Sequence, residues 1–434
     1  MLSMKLTNPL LLTLVITFAV LAAPVTRAAS EAQAKPQFKP LTKSQNKPVA
    51  PRMAVSVLSD PAMLRMAGLP IWREDTEVNV AYSILNEQQM ERLNQVAHSL
   101  HRCGGYEVLS DVSPTNTHSI DMIFQEFRDR QDRDRTFGFL GGDLPEARDS
   151  KVAAAVAEVS ADSLKKWVEW FSSFHSRFNG GDHANDAITQ LKASLDELAR
   201  KYSFPIVVEL IAHDSTRQKS LRFAIQGSIN PAQIIVLGAH ADSVNWQNGT
   251  SAKAPGADDN ASGSSNLLET LRILLAQGQP ERSVHFFWYA GEESGLLGSA
   301  EISKTYKNAN ADVVAVMQLD MTLMPGSGPN TISSIRDFTS PWLHDYLLKL
   351  NEFYVQARII DDRCGYACSD HASWNRRGYN AVFPFESDSG LMNQNIHTVR
   401  DVIDERSNFE HSAQFSKLAV AFAMHLANSQ HRGP

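Results

Sequence analysis

The chain has 434 residues, 43% of them hydrophobic and 21% charged, enough to bury one large domain plus a smaller segment and unlike a disordered or repeat protein. Its formal net charge of −7 leaves no basic face, and no Lys/Arg cluster is interleaved with aromatics, so nucleic acid is set aside as a partner.

The first apolar run, Leu10 to Ala23, follows Lys5 and precedes Thr26-Arg27-Ala28. At about fourteen residues it is too short to span a bilayer and fits the core of a signal peptide cleaved after Ala28. Residues 1–28 are read accordingly, and the chain as secreted, extracellular or periplasmic, with no stable membrane anchor. Export into an oxidising compartment makes the cysteines interpretable: Cys364 and Cys368, four apart in CGYAC, close a small disulfide loop, and Cys103 is left over.

Residues 30–52, rich in Ala, Lys, Gln and Pro, read as a linker or lead-in. A helical pattern runs from Asn86 to Leu100. The run EFRDRQDRDR, Glu126 to Arg135, reads as a solvated helix face and a target for an activating protease. Residues 29–146 contain no metal-ligand constellation and are expected to be a propeptide-like or accessory region.

From residue 147 the pattern changes. Leu164, Trp167, Val168, Phe171 and Phe174 keep a helical period, as do Ile188, Leu191, Leu195, Leu198 and Tyr202. Strands are expected at Ile206–Ile211 and through Leu221, Phe223 and Ile225. Strands and helices then alternate: Ile234–Leu237, a helix from about Ser262, Val284–Tyr289, Gly298–Tyr306, Val313–Leu319, Pro341–Val355, Arg358–Ile360, Ala381–Phe385 and His411–Leu426. That rhythm predicts an α/β fold with a mixed, largely parallel-centred sheet and helices on both faces.

Chemistry-bearing residues gather where these strands end. His240 and Asp242 lie two apart at a strand exit, so they project to one side; Asp258 and Asp259 open the next helix, with Asp259 read as its cap. Glu292 and Glu293 follow the strand Val284–Tyr289, Asp320 follows Val313–Leu319, and His397 lies in the loop beyond Ala381–Phe385. Two histidines and several carboxylates converging on one sheet edge call for compensating cations.

The segments His240-Ala241-Asp242, APGADDNASG, Glu292-Glu293, Gln318-Leu319-Asp320-Met321, CGYACSDHASW and Ile396-His397-Thr398 resemble, in order and spacing, the secreted bacterial leucyl aminopeptidases of the zinc-dependent metallopeptidase family M28. The resemblance covers about residues 150 to 430 and implies that 147–434 is the catalytic domain, preceded by a removable pro-region. By analogy Asp258 bridges two Zn2+ ions, with His240 and Asp320 completing one site and Glu293 and His397 the other. Glu292 is implied as the general base and Asp242 as the residue that orients His240. Tyr366 is a candidate for polarising the scissile carbonyl; Met321, Ile335, Phe383, Phe385 and Ile396 are implied as the walls of an apolar side-chain pocket. Asp370 and His371 are read as structural. Ser389 and Met392 stand where close relatives carry aromatics, which opens the question of pocket width.

The expected function is therefore removal of Leu, or another large apolar residue, from the N-termini of peptides or proteins by a monomeric zymogen. A single-zinc glutaminyl cyclase and a catalytically silent binding domain of the same fold are the alternatives.

Overall fold

A computed structural model describes residues 54–428 apart from 78, 101, 103–105, 110–119, 126, 127 and 129–143. The expected signal peptide, the lead-in, Cys103 and nearly all of the 126–135 charge run lie outside the described residues. Among those described, no helix is long and apolar enough to cross a membrane.

Two sheets form. The smaller contains β1 (Val55–Ser59), β2 (Arg73–Asp75), β3 (Val80–Leu85) and β4 (Tyr106–Leu109) in the antiparallel order β2-β3-β1-β4. It carries helices α1 (Pro61–Met66) and α2 (Glu87–Ser99). The expected helix over 86–100 is α2, started by a capping box in which Asn86 and Gln89 each satisfy the other's backbone N–H, at 3.0 and 2.9 Å.

The larger sheet follows helices α3 (Ser150–Ala157), α4 (Ala161–Ser172) and α5 (Asp186–Ala199). Its strands are β5 (Ile206–Ile211), β6 (Ser220–Ile225), β7 (Asn230–His240), β8 (Arg282–Tyr289), β9 (Asp312–Gln318), β10 (Thr331–Ile335), β11 (Arg358–Asp362) and β12 (Ala381–Phe385). The order is β11-β10-β12-β9-β7-β8-β6-β5, with β12, β9, β7 and β8 mutually parallel, the flanking pairs β12·β10, β8·β6 and β6·β5 antiparallel, and the edge pair β10·β11 parallel. The mixed, parallel-centred sheet is therefore as expected. β10, the short and polar TISSI, went unread because it has neither a long apolar run nor clear alternation.

Helices α6 (Gly263–Gln277), α7 (Leu297–Asn308), α8 (Pro341–Tyr354), α9 (His371–Arg376) and α10 (Phe409–Asn428) cover both faces. Side chains alternate across β7: Ile234 and Val236 pack with Phe287, Tyr306 and Trp374 beneath α7 and α9, whereas α10 and α6 pack over the other face. Both faces are thus dry, and all six residues of β6 are buried despite their alternating pattern. The polar ones are paired; Arg222 reaches Glu209 of β5 at 2.5 Å.

The described N-terminal sheet and the larger domain form one compact unit. Val108 donates its N–H to Gly295 O at 3.1 Å, Glu107 pairs with Arg376 at 2.5 Å where both are buried, and Tyr106 and Val108 share an apolar cluster with Leu297 of α7. These contacts bring the end of α2 to the carboxyl edge of the large sheet.

Candidate active site

Because β7, β8, β9 and β12 run parallel, their carboxyl ends share one edge, where diverging loops leave a crevice. β7 ends on His240, Glu292 and Glu293 lie just beyond β8, Asp320 lies just beyond β9, and the loop after β12 reaches His397. With Asp242 and Asp259, these side chains are at most 3% exposed.

They form two donor groups that share one carboxylate. His240 Nε2 lies 3.0 Å from Asp259 Oδ1 and 3.3 Å from Asp320 Oδ1; His397 Nε2 lies 3.1 Å from Asp259 Oδ2 and 2.9 Å from Glu293 Oε2. His240, Asp259 and Asp320 make one group, and Asp259, Glu293 and His397 the other. Zinc arms of about 2.0–2.1 Å give a tetrahedral edge of about 3.3 Å, so these donor spacings fit that ion. Glu293 Oε1 and Glu292 Oε2 are buried with no hydrogen-bond donor among the described residues, which also fits cation binding.

The electrostatics point the same way. Burial opposes a charged His240, yet Asp320, Asp242 and Asp259 outweigh it and hold the imidazole well above its usual range. Burial likewise opposes a charged His397, but Glu293 and Asp259 raise it to about 10. Burial and the neighbouring Asp259 push Glu293 up to about 7. Cations would take over the compensation that protons otherwise supply.

The expected bridging residue is corrected. Asp258, expected to bridge, faces away: its Oδ1 accepts the Leu323 N–H at 3.1 Å, and its carboxyl group bonds the buried Glu386. Asp259, expected to be only a cap, supplies the shared carboxylate. The helix does not begin smoothly at Ser262, because Asp259 (φ −105°, ψ 94°) and Asn260 (φ −130°, ψ 52°) leave the helical region within the turn Ala257–Ser262. The break turns neighbouring acids in different directions. It is packed tightly enough that a Cβ on Gly263 would lie 2.2 Å from Leu319 O, and one on Gly256 2.4 Å from Asp259 O.

Supporting side chains fix the groups. Asp242 Oδ1 lies 3.3 Å from His240 Nδ1, and its two oxygens accept the N–H groups of Glu292 at 3.1 Å and Glu293 at 3.2 Å. Ser369 donates to Asp320 Oδ2 at 2.6 Å and accepts from Gln318 Nε2 at 3.0 Å, and the same Gln318 nitrogen donates to Asp370 at 3.1 Å. Arg177 is 2% exposed and binds the carbonyls of Ala241, Phe171, Pro255 and Gly256, tying the β7 exit to the acidic turn. Sequence reasoning missed Ser369, Glu386, Asp401 and Arg177; each is one polar residue in a loop, and only a distant contact gives it meaning. His371 is outside both groups, with Nε2 facing Asp337 O at 3.0 Å, and burial lowers it to about 4.

Beside Asp320 opens a cavity of about 220 Å³ lined by Met321, Tyr366, Phe383, Phe385, Ser389 and Met392, with the Cys364–Cys368 disulfide on its wall. This volume, below the roughly 300–1,000 Å³ of drug-sized sites, suits a single side chain. Ile335 and Ile396, expected on the wall, instead pack behind it in the same apolar cluster. Leu100 and Arg102, from the end of α2, complete the lining, which no sequence pattern indicated.

The description of peptidase family M28 matches residues 223–423. Leucine aminopeptidase 1 of the fungus Arthroderma otae is 36% identical over 291 residues, which are 64% of this chain and 76% of the relative. The LapA aminopeptidase of Legionella pneumophila superposes with a TM-score of 0.73 at 27% identity, over 88% of this chain and all of that one. A glutaminyl cyclase of Bacteroides thetaiotaomicron, at 17% identity and a TM-score of 0.51 over 62% of this chain and 98% of its own, shares the fold.

Proposed function

The chain belongs to peptidase family M28, and from that premise we propose that this metallo-aminopeptidase holds two zinc ions and releases a large apolar residue, leucine foremost, from peptide N-termini. The observation that carries the reading is the Asp259 carboxylate, whose two oxygens lie 3.0 Å from His240 and 3.1 Å from His397. One side chain thereby serves both donor groups.

His240 and Asp320 with Asp259 would hold one ion, and Glu293 and His397 with Asp259 the other. Bound there, zinc supplies Lewis acidity, polarising the scissile carbonyl and acidifying water. Glu292 takes the proton from the attacking water and returns it to the leaving amine; its Oε2 is buried without a donor, and its backbone is pinned by Asp242. Asp242 keeps the His240 Nδ1 proton on its own side, so that Nε2 faces Asp259 and Asp320. The Tyr366 hydroxyl is the candidate donor to the carbonyl oxygen, and the apolar wall of Met321, Phe383, Phe385 and Met392 admits leucine while leaving a charged side chain unpaired.

Metal analysis with a panel of aminoacyl-nitroanilides tests this. Two zinc ions per chain, loss of activity with a chelator, recovery on adding zinc, and leucyl hydrolysis at least about 10-fold above glutamyl and lysyl are expected. One zinc with cyclisation of N-terminal glutamine would select the cyclase reading, and no metal a silent binding domain. Best activity on acidic or basic residues would contradict the apolar pocket.

The proposal extends to residues 29–146 of an exported zymogen. Leu100 and Arg102 stand on the cavity wall, the Arg102 guanidinium lies 5.2 Å over the Tyr366 ring and pairs with Asp60 at 2.7 Å, and the His98 ring lies 5.9 Å from that of His397. These contacts set the segment beside Tyr366 at the cavity. Trypsin cleavage within 126–135, followed by separation of the N-terminal fragment, should raise leucyl kcat/KM about 10-fold or more with zinc content unchanged. A trimmed enzyme no faster than the full chain would remove the inhibitory role.

A further inference from the structure

The turn that bears the shared carboxylate is gripped from behind by a residue with no part in the chemistry above. Asp401 is 1% exposed; its Oδ1 accepts the Asp258 N–H at 3.1 Å, its Oδ2 the Asp259 N–H at 3.0 Å, and Asn393 Nδ2 donates to Oδ1 at 3.1 Å. Its carbonyl oxygen accepts the Ala257 N–H at 3.1 Å. Three successive amides of the acidic turn therefore converge on one residue. Successive N–H groups aimed at one point form an anion-binding concavity, and a carboxylate seated there fixes the dihedrals of the turn that supplies them.

The other side of the site repeats the arrangement. Asp242 accepts the N–H groups of Glu292 and Glu293 with its two oxygens. Asp242 follows His240 by two residues, and Asp401 follows His397 by four. Each histidine-bearing loop thus carries a carboxylate that clasps two adjacent amides of a loop bearing metal-site acids. For Asp242 the loop is that of the base and of Glu293; for Asp401 it is that of Asp259.

We propose that Asp401 is a positioning residue for Asp259 that, through this single carboxylate, sets the geometry of both metal groups together. The inference rests on the two-ion reading above. Ser369 offers an internal contrast, because the one member of the donor groups to which its hydroxyl donates is Asp320, so it supports the His240 group. Losing Asp401 weakens both groups in parallel; losing Ser369 weakens one.

The experiment is a zinc titration of the metal-free full chain against a competing chromophoric chelator, with kcat and KM for leucyl-nitroanilide measured on the zinc-loaded protein. In Asp401→Asn an amide nitrogen faces one of the two N–H groups, so one hydrogen bond becomes a repulsion. Both dissociation constants should rise together, by about 10- to 100-fold, with kcat reduced and KM nearly unchanged. Ser369→Ala should shift only one of the two steps. Two wild-type steps in Asp401→Asn with wild-type kcat, or a shift in only one step, would overturn the proposal. If Asp401→Asn does not fold, Asn393→Ala replaces it: this removes the amide nitrogen that orients Asp401, together with the Oδ1 that accepts the Asn395 N–H at 3.0 Å, and should shift both steps by about 3- to 10-fold, and wild-type binding and kcat in that variant would overturn the proposal equally. A wild-type chain that takes up no zinc would sink the site reading and the clamp with it, whereas unchanged steps in the variants alone would sink only the clamp.

Discussion

Glu292→Gln is expected to lower kcat on leucyl-nitroanilide by about 1,000-fold, within the range that a positioned acid–base group contributes, while both zinc ions stay bound. Glutamine matches the shape of glutamate but accepts no proton at neutral pH. Glu292 lies outside the two donor groups, which consist of His240, Asp259, Asp320, Glu293 and His397, so the substitution removes no ligand. Its N–H is held by Asp242, and the loop backbone should remain in place. Metal analysis beside steady-state kinetics separates the outcomes. A zinc-loaded variant with wild-type kcat would free Glu292 of the base role, and a variant that has lost zinc would make it a ligand instead.

Asp259→Asn and Asp258→Asn should behave in opposite ways despite adjoining in sequence. Asp259 gives one oxygen to each donor group, so on the two-ion reading Asp259→Asn removes the one negative charge that both groups share. Zinc content should fall to one ion or none, with activity lost by about 1,000-fold or more. Asp258 makes no such contacts; its carboxyl group hydrogen-bonds Glu386, which in turn accepts the N–H groups of Met324 at 2.6 Å and Asn393 at 3.0 Å. Two carboxyl groups bonded to each other already share a proton, and an amide donates in its place, so Asp258→Asn should keep both ions and activity within about 3-fold. Zinc loss in Asp258→Asn with retention in Asp259→Asn would reverse the assignment.

These contrasts show where sequence reading reached its limit. The central strands of the large sheet were legible because runs such as Ile234–Leu237, and Val284–Tyr289 apart from His285, must be buried on both faces, and burial leaves an apolar imprint. Their exits were legible because the first polar residues after such a run mark the sheet edge, which placed His240, Glu292, Glu293 and Asp320 on the right side of the fold. The apolar lining of Met321, Phe383 and Phe385 followed from the resemblance and lines the cavity; Ile335 and Ile396 from the same set lie behind it, because strand alternation and loop path, rather than apolarity, decide which residue reaches a wall.

The sequence by itself determined the order of elements, the parallel centre and the edge at which histidines and carboxylates collect, since these follow from apolar periodicity and from the end of each strand. Only the tertiary structure decided which of two adjacent aspartates faces both histidines, which carboxylates clasp the loops that carry the site, and that the end of α2 stands at the cavity. Those outcomes depend on backbone dihedrals imposed by partners far along the chain, such as Asp401 on the amides of Asp258 and Asp259, and a local pattern holds no record of a contact made 142 or 143 residues away.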